Sequence, residues 1–203
     1  MGGIVIELQR DALDDKITIE SLIRKAYFVA KKLKLKEFEE WLNQEQNGYK
    51  RNIPEYRSVG GEIKAWNPYR GWIPMRFPAE IADEVSRMPF SHSISALLDI
   101  YNSGEDSIAC SINGEMTELF NNSINSMPTK YAFFASKSEL YRIMSTVRNK
   151  ILDWALLLEE NGIVGEDMTF TDLEKQIALK TPVINNYGNI FHAPVSDVDM
   201  KQG

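Results

Sequence analysis

The stretch from Ile17 to Tyr56 constrains the fold more than any other, because it carries two apolar stripes of helical period separated by a short polar break. Ile19, Leu22, Ile23, Ala26, Val29, Ala30 and Leu33 return to one face, while Arg24, Lys25, Lys31 and Lys32 fall elsewhere. Thr18 is a natural N-cap, and Glu20 stands in the first turn, where the helix dipole favours a carboxylate. Lys34 to Lys36 interrupt the stripe, Phe38, Trp41 and Leu42 resume it, and Gly48 supplies a left-handed stop. Two such helices fold back as a hairpin and still need a third apolar surface.

That surface is expected from the longest periodic run of the chain. Leu140, Ile143, Met144, Val147, Ile151, Trp154, Ala155 and Leu158 keep one face, Gly162 ends the run, and Ser136 with Glu139 reads as a capping box at its start. Asn149 and Asp153 fall on the wet face, and Arg148 lies at the margin of the stripe, within reach of Glu45 or another buried acid. Glu45 is the anomaly of the hairpin. It lies seven residues after Phe38, in the middle of the apolar stripe and at the helix end where the dipole disfavours negative charge. A structural ion pair with an arginine such as Arg57 is the plain reading, and a functional carboxylate of raised pKa is the sharper one.

The remaining segments are shorter. Ile4, Leu8 and Ala12 mark a short helix, with a strand through the same residues as the competing reading. From Ser58 to Phe77 the period changes to two, with Pro74 marking an edge strand and Gly60-Gly61 a bulge or close backbone contact. Helices are expected over 79–88, from a Ser91 cap to Tyr101, over 115–127, and from a Thr171/Glu174 capping box through Ala178 to Thr181-Pro182, with a strand over 107–112. Val183-Ile184 and Ile190-Phe191 flank a turn signal, Asn-Asn-Tyr-Gly-Asn. The expected fold is α+β, mostly α: a bundle built on the N-terminal hairpin and the late helix, with a small antiparallel hairpin. One domain is expected over 1–180, followed at 181–203 by a β-type tail that links to a further module or an oligomer contact.

Composition narrows the chemistry. A net charge of −6 argues against a surface devoted to phosphates and gives no strong nucleic-acid signal. One cysteine, Cys110, and two distant histidines, His92 and His192, leave no zinc spacing, and no Gly-rich phosphate loop or nucleophile elbow is present. No cofactor and no metal are expected. The acids Glu37, Glu39, Glu40 and Glu45 offer a Mg²⁺ reading, but all save Glu45 suit the wet side of a helix. Ser91-His92-Ser93 sits at a helix start, where capping accounts for both serines, and His192 reads as exposed. Trp66, Tyr69, Arg70 and Trp72 form an aromatic-basic turn able to stack bases or a peptide, against the plainer reading of a hairpin end folded onto the core. With no leader pattern and no apolar run near the roughly 18 residues of a membrane span, the chain reads as cytoplasmic.

The block KAYFVAKKLKLKEFEEWLNQEQNGY, followed by IPEYRSVGGEI, resembles the AbiTii domain of bacterial abortive-infection proteins, with its R-K-A-x-x-x-A-x-K-L helix, E-x-x-E-W helix, N-G-Y and P-E-Y-R. VRNKILDWALLLEENG is similar to the family's V-R-N-x-x-L-D segment, and Gln46 departs from the pattern where an apolar residue is expected. The resemblance implies antiviral defence and leaves the biochemical activity open. The expectation is a non-enzymatic module that self-associates as a homo-oligomer or recognises a phage protein or a fused or neighbouring effector. The rival is a toxin enzyme, a nuclease or another nucleotide-directed activity, using Glu45, Arg57 and Arg148 around one pocket.

Overall fold

The structure is a computed structural model that describes residues 2–123, 129–181, 183–184 and 190–191. In chain order they form α1 (Ile4–Leu13), α2 (Ile19–Leu33), α3 (Lys36–Asn47), β1 (Ser58–Asn67), β2 (Gly71–Pro74), α4 (Ala79–Val85), β3 (Arg87–Pro89) and α5 (Ile94–Asn102). There follow β4 (Ser107–Ser111), α6 (Gly114–Ser123), β5 (Tyr131–Ser136), α7 (Ser138–Glu160), α8 (Asp172–Lys180), β6 (Val183–Ile184) and β7 (Ile190–Phe191). The fold is α+β and mostly helical. Two compact units divide the described residues: those within 1–49, 93–95 and from 144 onward make the first, and those within 50–92 and 96–143 the second.

The first unit is the helical bundle. Thr18 caps α2 by accepting from the Ser21 amide, and Lys34 turns the chain in the left-handed region at φ 63 so that α3 packs back on α2. Every apolar residue that periodicity assigned to the inner face of α2 is buried, the Ile, Leu and Val side chains each worth about 1.5–3 kcal/mol relative to an exposed position. Trp154 of α7 lies against Phe38 of α3, ring centroids 4.2 Å apart. Gly162, at φ 72, stops α7. The Ile4 and Val5 amides, orphans at the start of α1, donate to the Gly165 and Val164 carbonyls at 3.0 and 3.1 Å. That approach leaves no room for a side chain at Gly3, whose Cβ would fall 2.1 Å from the Val164 oxygen. The Thr171/Glu174 capping box of α8 is present, and Glu174 also accepts from the Val164 and Gly165 amides, tying the loop to the helix.

The second unit is built on an antiparallel sheet of order β2-β1-β5-β4, with β3 paired to the start of β1. Pro74 does sit on the edge strand, and Gly61 is a close contact: its Cβ would lie 2.3 Å from the Phe134 oxygen. One sheet face, with Tyr131, Ile63, Phe133 and Ala135, is buried, and the Phe120 ring of α6 meets Tyr131 at 5.3 Å. The sheet is larger than the expected hairpin because β5, an apolar run, occupies its centre and pairs with both β1 and β4.

Three boundaries differ from expectation. Helix α4 ends at Val85 because Arg87–Pro89 pairs with β1, after which the Phe90 amide donates to the Arg57 carbonyl. Helix α5 begins at Ile94, not directly after Ser91. Helix α7 begins at Ser138, since Ser136 is still paired with Ser107 at the end of β5 and is not the N-cap. Glu139 is therefore released from a capping box and accepts instead from the Gly60 amide and from Arg142. Strands β6 and β7 pair antiparallel with each other, while the Asn-Asn-Tyr-Gly-Asn turn and His192 lie outside the described residues.

Candidate functional site

In the first unit, α3 carries Glu45 to full burial, as its place in the stripe requires. The Tyr49 hydroxyl, just past the helix end, donates to its Oε1 at 2.5 Å. Lys150 of α7 is also buried, and burial draws its pKa down to about 8 against the opposing pull of Glu45 and Asp153. A carboxylate, a phenol and an ammonium thus share the interior of the bundle, with none of the three open to water.

Arg148 does not go to a carboxylate. Its Nη1 donates to the Asp11, Ala12 and Asp14 carbonyls at 3.1, 3.3 and 3.3 Å, and its Nη2 to the Ile17 carbonyl at 2.5 Å. The first two acceptors belong to the last turn of α1, where carbonyls have no helical partner and a cation is favoured by the dipole. Position 148 thus serves as the C-terminal clamp of α1 and the brace of the turn into α2.

Arg57, in the second unit, is fully buried, and its Nη1 donates to the Phe90 and His92 carbonyls at 3.0 and 2.7 Å. Close by in the same unit, Arg142 donates to the Tyr56 and Ser58 carbonyls at 3.0 and 2.7 Å and to Glu139. Burial alone would raise the Glu139 pKa, but hydrogen bonds from Arg142 and the Gly60 amide outweigh it and hold the group ionised below the usual carboxylate range. The His92 ring lies 6.0 Å from that of Phe90. Cys110, on β4, has its thiol pushed up by burial, the opposite of what a nucleophile needs.

The acids of α3 other than Glu45 do face outward, and Glu39 is taken by Lys31 at 2.6 Å and by the Tyr27 hydroxyl. Hydrogen bonding to Lys31 is the chief reason its pKa is lowered. Among the described residues, no group of three or more His, Cys, Asp or Glu is placed to hold a metal, and no helix is long and apolar enough to cross a membrane.

The aromatic-basic turn is different in kind. Asn67 Oδ1 accepts from the Tyr69 and Arg70 amides, and Gly71 closes the turn at φ 74. The hairpin end is not folded away: Tyr69 is 96% and Trp66 41% exposed. Trp66 pairs directly with Trp72 across β1 and β2, so both side chains leave the same sheet face, and the rings meet edge-on at 5.4 Å. Trp72 also meets Phe134 of β5 at 5.2 Å, and the Lys64 ammonium stands 4.7 Å over the Phe134 ring. Lys130, whose carbonyl accepts from the Trp66 amide, stands opposite Trp66. Phe134, Lys64 and Lys130 extend the turn into a sheet-wide surface that sequence reasoning missed. The available signal was the run Tyr131-Ala132-Phe133-Phe134, which marks a central strand and hence a neighbour for β1.

The family model AbiTii matches residues 3–182. No curated protein and no solved structure matches the chain.

Proposed function

Because the chain belongs to the AbiTii family, and so to abortive infection in anti-phage defence, we propose that it acts there by recognition through an exposed surface and not by catalysis of its own. The observation that carries this reading is the contrast between its polar groups and its aromatic face. Arg148 donates to main-chain carbonyls, Arg57 does so through Nη1, Arg142 does so beside its ion pair with Glu139, and Glu45 is buried with Tyr49, whereas Tyr69 and Arg70 are exposed and Trp66 is 41% exposed. Large exposed aromatics beside a cation are costly to maintain for folding alone and are the common currency of binding surfaces.

A phage-challenge assay in cells tests the reading with two variants whose folding is checked by circular dichroism. Glu45→Gln keeps the shape of the side chain and the acceptor for Tyr49, and protection is expected to persist. Arg70→Glu in the exposed turn is expected to lose protection. A folded Glu45→Gln protein that no longer protects, beside a fully protective Arg70→Glu, returns the toxin-enzyme reading with Glu45, Arg57 and Arg148 as its residues. Light scattering of the same proteins reports whether recognition proceeds through self-assembly.

A further inference from the structure

We propose that the open face of the β2-β1-β5-β4 sheet binds single-stranded nucleic acid, with bases stacked on Trp66 and Trp72 and phosphates met by Arg70 and Lys130; this rests on the recognition reading of the same face.

Geometry supplies the first argument. Residues 62, 64 and 66 of β1 alternate outward while Ile63 is buried, and their partners Phe134 on β5 and Trp72 on β2 leave the same side. On β4 that side carries only Ser107, Ala109 and Ser111, all exposed and too short to cover the rings. Trp66 and Trp72 meet edge-on and Trp66 is 41% exposed, so the tryptophan pair is the stacking platform, while the Lys64 ammonium covers one face of Phe134. Bases inside a duplex offer no free face to them.

Charge supplies the second argument and selects an anionic partner. The whole chain carries −6, yet residues 63–79 contain Lys64, Arg70 and Arg76 and no acid, and residues 129–137 contain Lys130 and Lys137 and no acid. The one carboxylate on the outer side of β1, Glu62, is held 2.9 Å from Lys64. Lys64, Arg70 and Lys130 thus accompany the rings in an otherwise acidic protein, an arrangement that matches a polyanion bearing planar groups. An acidic peptide would use the cations but leave the rings without a stacking partner.

Fluorescence anisotropy of the full chain with labelled oligothymidylate and oligouridylate, each beside a duplex of similar length, tests the inference. Saturable binding is expected at low salt, weaker for the duplex, with quenching of tryptophan emission. Stacking on an aromatic side chain is worth roughly a five- to 150-fold change in affinity per base, so Trp66→Ala is expected to weaken binding by about tenfold or more. Arg70→Glu is expected to weaken it and flatten its salt dependence. Tyr69→Ser and Arg70→Glu lie in the exposed turn and keep the test independent of folding. The inference is overturned if neither oligonucleotide binds at low salt, if Trp66→Ala leaves binding unchanged, or if polyglutamate competes as well as an oligonucleotide. Should the face variants abolish phage protection while no oligonucleotide binds, the nucleic-acid occupant falls and recognition by that face stands, with a protein or a second copy in its place. Oligonucleotide binding lost in variants that still protect refutes recognition by this face and leaves the binding itself established.

Discussion

Replacing Arg148 by alanine separates a structural clamp from a chemical group. The side chain has two Nη groups serving four carbonyls, so the three acceptors at Nη1 share two hydrogens and the loss amounts to about three charge-assisted bonds. Such bonds contribute about 1.5–3 kcal/mol each when buried. Two of the acceptors, at Asp11 and Ala12, end α1, and the Asp14 oxygen is open to water that replaces part of the loss. A net cost of about 3 kcal/mol follows, to which the helix dipole adds about 0.5. For a chain of this size each kcal/mol lowers Tm by about 2–4 °C, so Arg148→Ala is expected to melt about 7–14 °C below the parent. Arg148→Lys keeps the charge but reaches one carbonyl, and should recover about a third of the loss. Thermal and urea unfolding followed by far-ultraviolet circular dichroism read both variants. An alanine variant that melts with the parent yet fails in phage challenge would refute the clamp and place the guanidinium at a reacting centre.

Gly61→Ala should cost at least about 3 kcal/mol or abolish soluble expression, because its Cβ would lie 2.3 Å from the Phe134 oxygen and 2.6 Å from Phe133 Cζ, whereas Gly60→Ala meets nothing within 4 Å and should stay within about 1 kcal/mol of the parent. Equal effects at the two positions would show that the β1–β5 register is wrong. Lys150 has its folded pKa lowered by burial to about 8, so between that pH and about 10.4 the unfolded chain binds more protons and stability rises with pH, by at most about 3 kcal/mol. Lys150→Met should flatten that rise in urea midpoints measured across the window, and an unchanged slope would count against burial of the amine. Burial would raise the Glu174 pKa, but the Gly165, Thr171 and Val164 amides outweigh it, so its contribution is present above the ordinary carboxylate range and lost as pH falls through the lowered folded value. Glu174→Ala, which strands those amides, should cost about 2 kcal/mol at neutral pH and narrow the gap to the parent in acid melts.

Periodicity is a local property, and what it determines was readable in full. The inner faces of α1, α2, α3 and α7 follow from apolar spacing, the Thr18 and Thr171 caps from side chains three residues from the amides they serve, and Glu45 stands out as buried because the stripe on which it lies is buried. The β1–β2 hairpin was legible for the same reason, since its turn chemistry lies within five residues. Which partner a group meets across the chain is not local. Arg148 was expected near an acid and found carbonyls 131 or more positions away, and Glu139 left its expected capping box for the Gly60 amide 79 positions away. Likewise Trp72 gained Phe134 only because β5 pairs beside β1, a register that no short-range signal encodes. The sequence by itself determined which faces would be buried; only the tertiary structure decided which polar groups the interior consumes and which aromatic rings it leaves facing water.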